Sequence, residues 1–149
     1  MYNDTITLFN RHKSYSGDMW YSTVLSGVNL IIDKAAIIAK YGAEAKDNAV
    51  LNIKYQVVDG SRIIGGKIWL PPKEWGRQSE DMLCKTLTFA DGQAFSFFYA
   101  GEWPDTEPIS DNDYTEGFYN YIKSRYDYAF AITSVSMYEV IPHFETMGA

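Results

Sequence analysis

Apolar and polar residues alternate along much of this chain, and a period of two is the mark of a half-buried strand. Thr5 to Arg11 sets Ile6, Leu8 and Asn10 on one face and Thr5, Thr7 and Phe9 on the other, which predicts a first strand. Ser16-Gly17-Asp18 reads as a turn, and Met19 to Leu25, rich in β-branched and aromatic residues, as the second arm of an N-terminal hairpin. Ser26-Gly27 is expected to break that arm. Val28 to Ile32 reads as strand. Asp33 to Lys40 fits a short helix or a further strand, and strand is preferred because Tyr41-Gly42 ends it at hairpin spacing. Gly42 to Asn48 is polar and loop-like. Ala49 to Tyr55 alternates Val50, Asn52 and Lys54 against Leu51, Ile53 and Tyr55, a clean amphipathic strand.

Turn chemistry divides the rest. Asp59-Gly60 and Gly65-Gly66 mark an excursion over Val57 to Gly66, with the apolar pair Ile63-Ile64 at its tip. Pro71-Pro72 excludes a central strand there. Thr86 to Tyr99 predicts a hairpin turning at Asp91-Gly92, a dipeptide that accepts the positive φ angles of a type I′ turn. Gly101 to Asp113, acidic and carrying Pro104 and Pro108, predicts a surface loop. Thr115 to Tyr126 predicts a helix capped by Thr115, with Phe118, Tyr121, Ile122 and Tyr126 as its apolar stripe. Tyr128 to Val135 and Ser136 to Phe144 predict two closing strands. The pattern as a whole is mainly β: a small antiparallel β-barrel or sandwich with one short α-helix near residues 115–126, in a single domain spanning 1–149. A closed barrel would also leave no exposed strand edges.

Composition narrows the function classes. The chain is 46% hydrophobic, enough for a core in 149 residues, and twelve Tyr and eight Phe favour pleated, half-buried positions. The net charge is −6 and no run of Lys or Arg occurs, which argues against tight phosphate or nucleic-acid binding. Cys84 is the only cysteine, so no intrachain disulfide is possible. No basic-then-apolar leader or membrane-length apolar run is visible, so folding in the cytoplasm, away from membranes, is expected.

No residue constellation assembles a reactive centre. His12 and His143 are the only histidines, and nothing in the spacing links either to Cys84 as a nucleophile–base pair. Asp111-Asn-Asp-Tyr-Thr-Glu-Gly117 resembles the opening of a calcium loop, yet Glu116 stands where glycine is needed and Ile122 where a bidentate Glu is required. Gly60, Gly65 and Gly66 lack the Lys-Ser/Thr of a phosphate cradle. No carboxylate pair is distinguished by its setting. Trp20, Trp69, Trp75 and Trp103 fit core positions better than a sugar-stacking platform. The expectation is a binding protein with no catalytic residues, metal or cofactor.

The two ends of the chain carry a resemblance. Thr5-Ile-Thr-Leu-Phe-Asn-Arg11 followed by Trp20-Tyr-Ser-Thr-Val-Leu-Ser-Gly-Val28 resembles the start of minor capsid, head-completion proteins of tailed bacteriophages and prophages. Ile132-Thr-Ser-Val135 followed by Ile141-Pro-His-Phe144 is similar to their closing strands. The resemblance implies a barrel subunit of a ring between portal and tail, a head–tail connector made in the bacterial cytoplasm and carried in the virion. Its implied partners are the portal or adaptor, tail proteins and neighbouring copies, while DNA passes without specific binding along an acidic wall. Within that frame the excursion at 57–66, with Asp59, Arg62, Ile63 and Ile64, and the closing His143 and Phe144 are the candidate interface residues. A tail-terminator or other tail-side module, and a carbohydrate-binding β domain, are the alternatives.

Overall fold

The computed structural model describes residues 2–32 and 49–149. The expected strand at 33–41 and loop at 42–48 lie outside the described residues. The eleven strands described are β1 (Asp4–Ser14), β2 (Gly17–Ile32), β3 (Ala49–Lys54), β4 (Gln56–Val58), β5 (Ser61–Ile64), β6 (Lys67–Trp69), β7 (Thr86–Leu87), β8 (Phe97–Tyr99), β9 (Ile109–Ser110), β10 (Ala129–Tyr138) and β11 (His143–Gly148). Helices α1 (Pro72–Gly76), α2 (Glu80–Leu83) and α3 (Phe118–Arg125) complete the described elements with two 3-10 turns. Strands run in the order β1-β8-β10-β11-β3-β2, and β2 pairs back with β1, so six antiparallel strands close a barrel. A short meander of β4, β5 and β6, joined by β7 in parallel, forms a second small sheet.

Two strands make the barrel's corners by changing partner. β2 pairs with β1 as far as Val28 and with β3 from Asn29 onward. Gly27, at φ +70°, sits at this corner. Ser26-Gly27 therefore bends the strand where the sequence predicts a break, because positive φ redirects a strand without ending it. β10 pairs with β8 through Ala129–Ala131 and with β11 from Ile132, with a register shift between Ile132 and Ser134. The closing hairpin consequently turns at residues 139–142, several positions after the expected boundary at Val135 and Ser136.

Alternation along β1 feeds two cores. Ile6 and Leu8 point into the barrel with Leu25, Leu51, Ile53, Phe98, Phe130, Ile132 and Phe144. Phe9, on the opposite face, joins Trp20, Phe97, Tyr99, Phe118 and Ile122 beneath α3. Helix α3 thus covers the outside of the barrel wall, so both faces of β1 are buried over Ile6–Asn10. Aromatic rings fill this outer layer: Phe9 stacks on Phe97 at 4.8 Å and meets Phe118 edge-on at 5.0 Å. The one buried side-chain amide among the described residues, Asn10, is satisfied: it donates to Thr88 O at 2.7 Å and Ser96 Oγ at 2.8 Å.

Three local expectations change. Helix α3 begins at Phe118, later than Thr115, and its N-terminus is held by the Asp111 carboxylate, which accepts from Phe118 N–H at 2.9 Å. That carboxylate oxygen also accepts from Trp20 Nε1–H at 2.8 Å, tying the helix to β2. Thr86 to Tyr99 is not a hairpin: β7 pairs with β6, and β8 pairs with β1 and β10. Asp91, at φ −105°, is extended and leads into a 3-10 turn at Gly92–Ala94, because its two flanking strands pair elsewhere, β7 with β6 and β8 with β1 and β10. The I′-like geometry falls instead at Asp59-Gly60, both at positive φ, which makes the excursion a true hairpin between β4 and β5. The acidic stretch 101–113 is a surface connection, apart from β9, which adds to β2 through Trp20 and Ile109.

Candidate functional site: a docking end of the barrel

One end of the barrel gathers exposed apolar side chains on short backbone turns. Between β10 and β11, Val140 is 97% and Ile141 73% exposed. Val57 and Val58 on β4 are 62% and 51% exposed. Isolated exposed aliphatics are ordinary, but a group on adjoining tips is a mark of an interaction surface.

The two tips are fastened to each other through β3's end. Tyr55 N–H donates to Pro142 O at 3.3 Å, and the Tyr55 hydroxyl donates to Tyr138 O at 3.0 Å. Arg62 Nη2 lies 3.7 Å from Glu139 Oε1, an exposed pair that adds registration more than stability. The His143 ring stacks on Tyr138 with centroids 4.7 Å apart, and its Nδ1–H donates to Ile141 O at 2.7 Å. This bond fixes the proton on Nδ1 and braces the turn.

Along the same end, no strand among the described residues pairs with Ser134–Tyr138 on the side away from β11. Among the described residues that side has no ladder partner, and such a row of backbone groups can template a further strand. A recess of about 270 Å³ beside it is lined by Trp69, Phe89, Val135, Met137 and Phe144.

The structure sorts the sequence-predicted interface residues. Asp59 lies at the β4–β5 tip, at φ +50°, and Arg62 and His143 brace the two hairpins. Ile63 is half-buried within β5. Ile64, 2% exposed, belongs to the barrel core and not to a loop tip, because β5 turns its face inward just before Gly65. Phe144 is fully buried against Tyr55, Trp69 and Phe89, so it supports the end from within and offers no surface. Sequence reasoning placed Val57 and Val58 inside the candidate excursion without singling them out, and it missed Val140 and Ile141. The available signal was apolar pairs set directly beside turn residues, Asp59-Gly60 and Pro142, where a buried strand has no room.

The other candidates resolve into structural roles. Cys84 is exposed beside a recess with Tyr21 and Lys67, while His143 stands against Tyr138 at the docking end, so the two form no nucleophile–base pair. Lys67 donates to Ser22 O at 3.2 Å and Thr23 Oγ1 at 2.8 Å, and burial pulls its ammonium below the usual lysine range, with the nearby Cys84 opposing. Asp111 holds a helix start. Trp20 and Trp75 are buried and Trp69 and Trp103 half-buried; Trp20 and Trp103 share the aromatic layer under α3, and Trp69 packs against the barrel core. Among the described residues, no three His, Cys, Asp or Glu side chains converge as a metal site, and no helix is long and apolar enough to cross a membrane.

No curated protein and no solved structure matches the chain. A family model covers all of it, residues 1–149, and the chain accordingly belongs to a family of unknown function (DUF6751).

Proposed function

We propose that this protein is a non-enzymatic assembly subunit of a tailed-bacteriophage or prophage virion, a head-completion component of a ring between portal and tail. The observation that carries the reading is the docking end: apolar residues exposed on two braced hairpins of a closed barrel. A side chain such as Val140, 97% exposed, gains nothing for the isolated chain and gains contact energy once a partner covers it. The similarity of the chain's opening and closing strands to head-completion proteins supplies the setting. The net charge of −6 supports it as well, since a channel wall that weakly repels DNA lets it pass without sticking.

In a ring, each subunit would present its tip to a different surface of the next, a heterologous contact that closes by rotation. Portal or adaptor and tail proteins would meet the two rims. The protein would be made in the bacterial cytoplasm and end in the particle.

Immunogold labelling of particles released from a host carrying the gene tests the placement. Gold at the head–tail junction is expected. Gold on the capsid shell or along the tail shaft, or particles devoid of the protein, would overturn the proposal.

A further inference from the structure

The open side of β10 has a defined beginning. Ile132 N–H donates to Ser96 O at 2.9 Å, in continuation of the ladder with β8. Before Ser96 the neighbouring chain leaves: it folds back through the 3-10 turn at Gly92–Ala94, and Ser96 N–H donates to Ala90 O at 2.8 Å. β10 runs on without it. From Ser134 to Tyr138 its register with β11 is regular, and its other side has no strand partner among the described residues. Ser134, Ser136, Met137 and Tyr138 are exposed and Val135 is half-buried.

This edge is unguarded. Native sheets blunt an open edge with a charge, a proline or a very short strand, because the free N–H and C=O groups of a longer one recruit other chains. Ser134-Val-Ser-Met-Tyr138 has no charge and no proline, and its five residues extend roughly 17 Å.

The recess of about 270 Å³ beside the edge selects what can be added. Val135 and Met137 share one face of β10 and line it together with Trp69 and Pro72, all of them at least partly exposed. Asp91 is the one charged residue in its lining; it is exposed and has no ion pair among the described residues. Side chains of an added strand alternate in step with those of β10, so those on the Val135–Met137 face stand over the recess. An apolar side chain fits there, and a cation answers Asp91. A second copy of β10 is a poorer occupant. Ala129–Tyr138 contains no lysine or arginine, and each of two copies would bring a net charge of −6.

We propose that Ser134–Tyr138 receives an extended segment of a partner protein as an added antiparallel strand, with apolar residues at alternate positions and a lysine or arginine beside Asp91. Strand addition rests on the docking end being a contact surface, and it gives the partner at that end a chemistry.

The capped peptide Lys-Thr-Val-Thr-Val-Thr-Lys and its twin with glutamate at both ends are suitable probes of the whole chain. In two-dimensional amide NMR the lysine peptide is expected to shift the Ser134–Tyr138 amides, with a dissociation constant of about 0.1–1 mM, in keeping with a short strand. The glutamate twin should bind at least about threefold more weakly, and Asp91→Lys should reverse the order. Asp91 is exposed, so this variant should keep the wild-type spectrum elsewhere. Methylating the backbone nitrogens of the lysine peptide removes its ladder donors and should abolish binding. No shift at about 5 mM peptide, shifts centred elsewhere, full binding by the methylated peptide, or equal affinity for both charges would overturn the proposal. So would a concentration-dependent dimer in sedimentation whose formation shifts the same amides, since the edge would then belong to a second copy. Immunogold placement is blind to this edge, so strand addition and the virion assignment can each fail alone.

Discussion

Single side chains hold the layers of this fold together, and their removal should be felt in proportion to what each satisfies. The Asp111 carboxylate serves two donors at once, Trp20 Nε1–H and Phe118 N–H. Asp111→Ala should lower stability by about 2–3 kcal/mol, since hydrogen bonds to a charged acceptor exceed neutral ones. Urea denaturation followed by tryptophan fluorescence measures this; a loss below about 0.5 kcal/mol would contradict the tethering role. Lys67 provides a pH signature. Its ammonium is released more readily in the folded chain, chiefly through burial, than at the ordinary value of 10.5. Between the folded and unfolded values the unfolded chain holds more protons, so this group's contribution to stability rises as pH climbs toward 10.5. Wild type should therefore gain on Lys67→Met in urea midpoint between pH 7 and pH 10, and parallel pH profiles for the two proteins would refute the assignment. Tyr21, Tyr99 and Tyr114, raised mainly by burial, act in the opposite sense above their ordinary 10.0, and the comparison cancels them.

At the scale of elements, the docking tips should be separable from the fold. Val140 and Ile141 touch solvent more than protein, so the double variant Val140→Asp/Ile141→Asp should leave the melting temperature within about 2 °C of wild type, as surface changes do. If the proposed assembly role holds, the same variant should fail to enter particles when it replaces the wild-type protein, as read by immunoblot of purified virions. Normal incorporation would count against the tips as a docking surface. Element-level reading also shows where the sequence was legible. The opening hairpin, the strand at 49–54 and the short helix follow directly from alternation and from the stripe at Phe118 and Ile122. Asp-Gly was recognised as a turn signal twice, but only Asp59-Gly60 adopts the positive φ pair. Local chemistry permits such a turn at Asp91-Gly92 as well. Tertiary pairing decides against it, because β8 is drawn between β1 and β10. The docking end was only partly legible for a similar reason: Ile64 and Val57 look alike in sequence, and only strand orientation sends one inward and one outward.

For the whole molecule, closure is the governing fact. β1 pairs with β8 through Thr7 and Tyr99, so the barrel cannot close until distant parts of the chain have met. Loop-closure entropy must be overcome before those contacts form, and refolding is expected in the range of about milliseconds to seconds. Stopped-flow fluorescence checks this, and a microsecond phase carrying the full amplitude would not fit. Closure also makes the last strand indispensable. β11 lies between β10 and β3 and supplies Phe144 and Thr146 to the interior. Deleting residues 143–149 should abolish the cooperative unfolding transition, and a well-dispersed NMR spectrum of the shortened chain would contradict this.

The partner change of β10 has a mechanical meaning. One continuous strand runs from beneath the helix, where Ala129 pairs with Tyr99, to the tip at Tyr138. A pull applied at that tip travels along the strand axis and loads its ladder rungs in parallel, instead of peeling them apart one after another. The exposed tip is thus a handle anchored in tension to the wall of the barrel, so force applied there is resisted by shear of the whole strand.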